Sequence, residues 1–105
     1  MSEGLDRLFA TIAARKGADP ASSYTAKLLA EGVEKCAKKF GEEATETVIA
    51  AISRDKTELA KESADVLYHL AVLWAASGIT PEEVYAVLRA REGRSGLEEK
   101  ASRGP

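Results

Sequence analysis

Residues 42–65 of the chain read EEATETVIAAISRDKTELAKESAD, and this stretch decides the predicted fold. It contains two acidic pairs with the same internal spacing, which are Glu43 with Glu46 and Glu62 with Asp65. Residues three apart share one face of a helix. The two inner acids are equally far along the chain from Arg54, and so are the two outer acids. An antiparallel helical hairpin that turns at Arg54 therefore brings the four carboxylates together.

Four carboxylates at one place need compensation for their charge. Two such charges repel by roughly 4 kcal/mol at a separation of about 4 Å and an effective dielectric of about 20. Carboxylate oxygens without histidine or cysteine ligands favour Mg²⁺ or Mn²⁺ over zinc. Magnesium held in this way keeps open positions for substrate phosphates, so we expect a polyphosphate ligand. Such a site can orient a phosphoanhydride and activate a water molecule.

The spacing of the acids has two other interpretations. Glu-x-x-Glu is common on helices, and a charged hairpin with solvated acids would give the same spacing. The pairing of the acids across the predicted turn favours the metal site. A di-iron carboxylate bundle requires Glu-x-x-His motifs, and this chain has none.

Periodic apolar residues and helix-end signals predict five helices and no strands, so the predicted fold class is all-α, an antiparallel helical hairpin within a bundle. The first helix covers about residues 4–15. The second begins after Ser22 or Ser23, either of which can serve as its N-cap. Asp55 and Thr80 each precede a glutamate by three residues, and this capping-box spacing begins the fourth and fifth helices.

The apolar faces of the third and fourth helices predict how the chain packs. The third helix, about residues 33–52, has an expected apolar stripe of Val33, Ala37, Phe40, Ala44, Val48 and Ala51. The fourth is apolar nearly all round from Val66 to Trp74, so it needs partners on several sides. Because a chain of 105 residues supplies few partners, we expect a homodimer built on this helix.

Basic and hydroxyl side chains flank the acids in the predicted hairpin. The start of the second helix offers free amides beside Lys27, which favour an anion. Lys35 and Lys39 lie one or two turns before the first acids, and His69 follows Asp65 by one turn, opposite Lys39. An ordinary capped helix start, a solvated lysine face and a structural histidine remain the simpler interpretations of these features.

Composition limits the class of protein. The 105 residues predict one small domain, residues 1–92, followed by a flexible Gly- and Ser-rich tail, residues 93–105. A net charge of -2 does not indicate a nucleic acid or membrane partner. The single cysteine, Cys36, excludes an internal disulfide. No apolar run approaches the roughly 20 residues of a membrane span, so we expect a cytoplasmic protein.

Several segments resemble the phosphoribosyl-ATP pyrophosphatase family of histidine biosynthesis. They are Ser23-Tyr24-Thr25, residues 39–50 (KFGEEATETVIA), residues 62–69 (ESADVLYH) and residues 93–103 (GRSGLEEKASR). The paired Glu-x-x-Glu and Glu-x-x-Asp motifs also resemble the wider superfamily of MazG-like all-α nucleotide pyrophosphohydrolases. The Ser-Tyr-Thr start, the Tyr-His pair and the Arg-Ser-Gly-Leu tail favour the narrower family.

The resemblance implies an activity and a site. It implies Mg²⁺-dependent hydrolysis of 1-(5-phosphoribosyl)-ATP to 1-(5-phosphoribosyl)-AMP and pyrophosphate by an intertwined homodimer. The family's metal ligands, which also carry catalysis, fall on Glu43, Glu46, Glu62 and Asp65. The substrate-binding residues that we expect are Ser23, Tyr24, Thr25, Lys27, Lys35, Lys39, Glu42, His69, Lys100 and Arg103.

Two other functions remain open from the sequence. The same fold would suit a housecleaning hydrolase of deoxynucleoside triphosphates. A non-enzymatic helical dimerisation module would leave the acids as surface charge.

Overall fold

The computed structural model describes residues 3–93, which form five helices and no strand. The helices are α1 (Glu3–Ala14), α2 (Tyr24–Glu31), α3 (Val33–Ile52), α4 (Lys56–Ser77) and α5 (Pro81–Ala90). The predicted all-α class is confirmed, and the predicted helix ends differ by at most a residue or two. Apart from Gly93, the predicted tail with Lys100 and Arg103 lies outside the described residues.

Side-chain caps begin three of the helices where the sequence predicts them. The side chains of Ser23, Asp55 and Thr80 each accept a hydrogen bond from the backbone amide three residues later. Each of these bonds satisfies one of the amides that a helix start leaves free. The caps thereby fix where α2, α4 and α5 begin relative to the loops that precede them.

The helices α3 and α4 form the antiparallel hairpin on which the rest of the fold is built. Residues 53–55 connect them, and Arg54 occupies the left-handed region with φ of 60°. The Asp55 amide donates to the Ala50 carbonyl at 3.4 Å and closes the turn. The turn lies at the residue that the equal spacing of the acids predicts. The first two helices pack against this hairpin, and α5 packs on α1.

The hydrophobic core lies where the first four helices meet, at the end of the hairpin remote from the turn. Its buried members are Ile12, Leu28, Cys36, Ala71, Val72 and Ala75. We call this part of the hairpin and its packing partners the apolar end. The thiol of Cys36 is 1% exposed and donates to the carbonyl oxygen of Leu28 at 3.2 Å. Burial raises the pKa of this thiol. At the apolar end, buried side chains of small and medium size from four helices therefore pack against one another.

The face that α3 turns towards α4 differs from the predicted stripe by about one residue. Cys36 and Ala50 are buried and Thr47 is partly buried, whereas Val33 and Val48 are 45% and 56% exposed. The reason is that α3 has two adjacent apolar faces, and within one chain the less apolar face packs on α4. Phe40 and Ala44 of the predicted stripe are partly buried, and its other four residues are exposed. No helix within residues 3–93 combines the length and apolarity needed to cross a membrane.

Candidate metal centre

Three carboxylates from the two hairpin helices converge near the turn. Oxygen atoms of Glu43 on α3 and of Glu62 and Asp65 on α4 all lie within 4.8 Å of one another. Glu46, one turn after Glu43, is close enough for its carboxyl group to hydrogen-bond with Glu43 and Glu62. We call these four residues the acidic cluster. The antiparallel pairing brings together the acids that the sequence predicts, with Glu46 at the border.

A threonine hydroxyl links the two helices within the acidic cluster. The side chain of Thr47 donates to the carbonyl oxygen of Glu43 at 2.8 Å and lies 3.2 Å from the carbonyl oxygen of Glu62. One hydroxyl hydrogen can be shared between two acceptors in this way. The backbones that carry two of the acids are therefore tied together by the side chain of a third residue.

Burial and neighbouring carboxylates raise the pKa of two members of the acidic cluster, Glu62 and Glu43. The pKa of Glu62 is raised to about 7, first by burial and then by its hydrogen bond with Glu46 and the charges of Glu46 and Asp65. Burial also raises the pKa of Glu43, with Glu46 and Asp65 contributing, while Lys39 acts in the opposite direction. A divalent cation would replace this protonation by neutralising the carboxylates directly.

One atom of the acidic cluster provides a test of whether a cation fits. The Oε2 atom of Glu62 is buried, and no hydrogen-bond donor within residues 3–93 reaches it. A buried polar atom without a partner is costly, so its retention calls for a compensating group. Carboxylate oxygens from two facing helices suit a hard divalent cation that keeps some of its waters. The residues present therefore fit such an ion.

The single histidine lies behind the acidic cluster. His69 is 6% exposed, and its Nε2 atom is 4.0 Å from Glu43 Oε1. Its ring makes edge contacts with the rings of Tyr68 and Tyr24, whose centroids are 5.0 and 6.3 Å away. Burial, followed by the charge of Lys39, lowers the pKa of His69, so the imidazole is neutral at pH 7. In this position the ring limits where the Glu43 carboxylate can move.

Three of the expected substrate-binding residues, Tyr24, Lys39 and Glu42, form a rim at the edge of the acidic cluster. Lys39 forms an ion pair with Glu42 at 3.3 Å, and both side chains are partly exposed. The ring of Tyr24 is 52% exposed and close enough to Lys39 to affect its pKa, which is raised mainly by the hydrogen bond with Glu42. The rim therefore offers one ammonium group and one open aromatic face beside the carboxylates.

The remaining expected residues have other positions. The hydroxyl of Ser23 caps α2, and the hydroxyl of Thr25 is hydrogen-bonded to the phenol of Tyr68 on α4. Lys27 and Lys35 are exposed, and no hydrogen bond or ion pair joins them to the acidic cluster in the part of the chain described. Thr25 thus holds α2 against the hairpin, which places Tyr24 at the rim.

A cavity of about 260 Å³ opens on the turn side of the acidic cluster. Its lining combines carboxylates with apolar and hydroxyl groups, from Glu46, Ile49, Ala50, Ser53, Asp55, Glu58 and Glu62. The cavity is directly accessible from the cluster because Glu46 and Glu62 belong to both. It offers room for part of a ligand whose charged portion meets the acids.

Sequence reasoning missed two residues that shape the site. Thr47 was not singled out, although its position four residues after Glu43 puts it on the same helix face. Tyr68 was noted only as part of the Tyr-His pair, and its bond to Thr25 joins positions far apart in the sequence. The spacing of Thr47 from Glu43 could have identified Thr47 from the sequence. The role of Tyr68 could be identified only from the packing of α2 on α4.

Comparisons with known proteins identify the family of the chain. The family model described as phosphoribosyl-ATP pyrophosphohydrolase matches residues 5–92. A phosphoribosyl-ATP pyrophosphatase of Parvibaculum lavamentivorans is 68% identical over 100 residues, covering 95% of this chain and 92% of the relative. Relatives with the same name from Paracoccus denitrificans and Rhodobacter capsulatus are 62% and 60% identical, covering 95% of this chain and 93% and 97% of their own lengths. The resemblance noted in the sequence is confirmed, and the chain belongs to the phosphoribosyl-ATP pyrophosphohydrolase family.

Proposed function

We propose that this chain hydrolyses 1-(5-phosphoribosyl)-ATP to 1-(5-phosphoribosyl)-AMP and pyrophosphate, the second step of histidine biosynthesis. Membership of the family and the names of the relatives support this activity. The observation that carries it at the level of the site is the convergence of Glu43, Glu62 and Asp65, with the unpartnered Oε2 atom of Glu62 among them.

The residues that would hold the cation are Glu43, Glu46, Glu62 and Asp65, and we propose Mg²⁺, with Mn²⁺ as a substitute. When bound, such an ion neutralises the anhydride oxygens and makes a coordinated water more acidic. The carboxylates from the two helices fix the position of the negative oxygens, and His69 packs behind Glu43.

Phosphate and nucleoside contacts are proposed from the rim and the start of α2. The charge of Lys39 acts on Glu43, so Lys39 is the first candidate for a phosphate contact, and Glu42 holds its ammonium group. The exposed ring of Tyr24 offers a surface for a base or a ribose. Ser23, Thr25, Lys27 and Lys35 complete the proposed binding surface, with Lys100 and Arg103 from the segment beyond residue 93.

We further propose that the enzyme is a homodimer in the cytoplasm. Large apolar side chains on the outer face of α3 support the dimer, since Val48, Ile49 and Ile52 are 56%, 58% and 74% exposed. These three residues form a continuous strip on one helix, and patches of this kind are typical of association surfaces. The strip borders the cavity beside the acids, so a partner subunit would lie close to the site.

The test is an assay of the purified protein on phosphoribosyl-ATP, with and without Mg²⁺, in which the products are identified. We expect phosphoribosyl-AMP and pyrophosphate in equal amounts only when Mg²⁺ is present. Glu46→Gln should lower turnover at saturating Mg²⁺ by at least about 100-fold, the usual scale for losing one charge-stabilising group. Turnover of dUTP or dCTP that exceeds that of phosphoribosyl-ATP would instead assign the fold to nucleotide housecleaning.

A further inference from the structure

The hydroxyl of Thr47 contacts backbone carbonyl oxygens on both helices of the hairpin. Its hydroxyl is 2.8 Å from the carbonyl oxygen of Glu43, one turn earlier on α3, and 3.2 Å from the carbonyl oxygen of Glu62 on α4. The contact with Glu62 joins the Thr47 side chain on α3 to the backbone of α4. Both acceptors belong to residues of the acidic cluster.

The consequence for the acidic cluster is geometric. The carboxylates of Glu43 and Glu62 come from different helices, so their separation depends on how α3 and α4 are placed along and around each other. A helix rises about 1.5 Å per residue, so a slide of even part of a residue changes oxygen positions by a substantial fraction of a metal–ligand distance. A side chain that bonds to both backbones limits such a slide at the level of the acids.

Thr45 provides an internal comparison on the same helix. Its hydroxyl donates to the Gly41 carbonyl at 3.1 Å, an exposed bond that stays within α3. Thr45 and Thr47 therefore have the same residue type and the same bond to the preceding turn. They differ in that Thr47 also reaches the opposite helix.

We propose that Thr47 is a positioning residue for divalent-cation binding, because its hydroxyl sets the distance between the Glu43 and Glu62 carboxylates. The proposal rests on the proposed function only in taking the acidic cluster as the cation site. It assigns Thr47 no contact with substrate or with the ion.

The experiment compares Mn²⁺ affinity, measured by electron paramagnetic resonance on the full chain, in the wild type, Thr47→Val, Thr47→Ser and the matched control Thr45→Val. Valine keeps the branched shape and removes the hydroxyl, and serine restores it. We expect Thr47→Val to weaken Mn²⁺ binding by about tenfold or more, the range found when an outer partner of a metal ligand is removed. Thr47→Ser and Thr45→Val should bind Mn²⁺ within about twofold of the wild type.

A second variant keeps the proposal testable if Thr47→Val does not fold. Thr47→Ala also lacks the hydroxyl, and alanine has the highest helix propensity, so α3 should form. Thermal unfolding without metal identifies folded variants before titration. We expect Thr47→Ala to lose Mn²⁺ affinity by a similar factor.

Two results would overturn the proposal. One is Mn²⁺ affinity within about twofold of the wild type in a folded Thr47→Val or Thr47→Ala protein. The other is an equal loss in Thr45→Val or Thr47→Ser, which would make the effect a general one of changing threonines in α3. A failure of the proposed function is seen separately, as absence of phosphoribosyl-ATP turnover by a wild type that still binds Mn²⁺.

Discussion

The two ends of the α3–α4 hairpin use the same pair of helices for opposite purposes. At the apolar end the facing side chains are small and fully buried, and Ala71 and Val72 have no exposed surface. Near the turn the facing side chains are carboxylates with raised pKa values and one unpartnered oxygen. The first arrangement lowers the free energy of the fold, and the second raises it, a cost that the proposed cation would offset. Stability and ligand binding are thus separated along one hairpin.

The largest expected effect on stability comes from the apolar end. Ile12→Ala should lower the free energy of unfolding by about 3 kcal/mol, because it removes buried methyl groups and leaves a cavity between α1 and the hairpin. Urea denaturation of the metal-free protein measures this change. Mn²⁺ affinity of the folded variant should stay at the wild-type value. A parallel loss of affinity would show that the two ends are not separate.

Glu43→Gln should have the opposite effects, lowering turnover while leaving the stability of the metal-free protein unchanged or higher. We expect turnover at saturating Mg²⁺ to fall by at least about 100-fold, since one oxygen charge of the proposed cation site is removed. The melting temperature without metal should be unchanged or higher, because repulsion by Glu46 and Asp65 is relieved. Glu34→Gln, an exposed acid in the first turn of the same helix, is the control and should keep normal turnover. Equal losses in both variants would contradict the site.

A smaller effect should appear in the pH dependence of the metal-free protein. Because the folded pKa of Glu62 is about 7 and its ordinary value is 4.5, its contribution to stability is present below pH 4.5 and is lost as the pH rises through 7. Glu62 should therefore give the melting temperature a downward slope between pH 5 and pH 8, which His69, whose pKa is lowered, partly offsets. Glu62→Gln should flatten this slope, and Mg²⁺ should restore stability at pH 8 in the wild type. An identical slope in the variant would exclude Glu62 as its source.

The smallest expected effect lies between the two ends, at Gly41. Within residues 3–93, a Cβ atom added there meets no atom within 4 Å other than its chain neighbours and the backbone of its own helix, and Gly41 is in the middle of α3. Gly41→Ala should therefore raise the free energy of unfolding by up to about 1 kcal/mol, the usual difference in helix propensity. Chemical denaturation measures the gain. Loss of stability would show that a partner subunit or another group occupies the space beside Gly41.

The hairpin could be predicted from the sequence because a helix has a fixed period. Once the turn was placed at Arg54, equal spacing fixed which acids on α3 face which acids on α4. The caps at Asp55 and Thr80 could also be predicted from the sequence, because each hydrogen bond spans only three residues. Local rules therefore determined the elements and the position of the acids along them.

The face of α3 and the environment of the acids could not be predicted in the same way. The periodicity of α3 favours the stripe with Val33 and Val48, and only packing shows that the face with Cys36 and Ala50 turns towards α4. The burial of Glu62 Oε2 and the contact of Thr47 with Glu62 both follow from that rotation. They depend on the exact angle between two helices, which hydrophobic spacing defines only to within about one residue.

The thiol of Cys36 gives the hairpin an internal reporter of opening. It is the only cysteine of the chain, and its hydrogen bond to Leu28 keeps it out of reach of alkylating reagents while α2, α3 and α4 stay together. Its rate of labelling by a small maleimide therefore measures how often this region separates. If Mg²⁺ slows the labelling, the hairpin opens as one cooperative unit along its whole length. If the rate does not change, the half near Cys36 opens independently of the half that carries the acids.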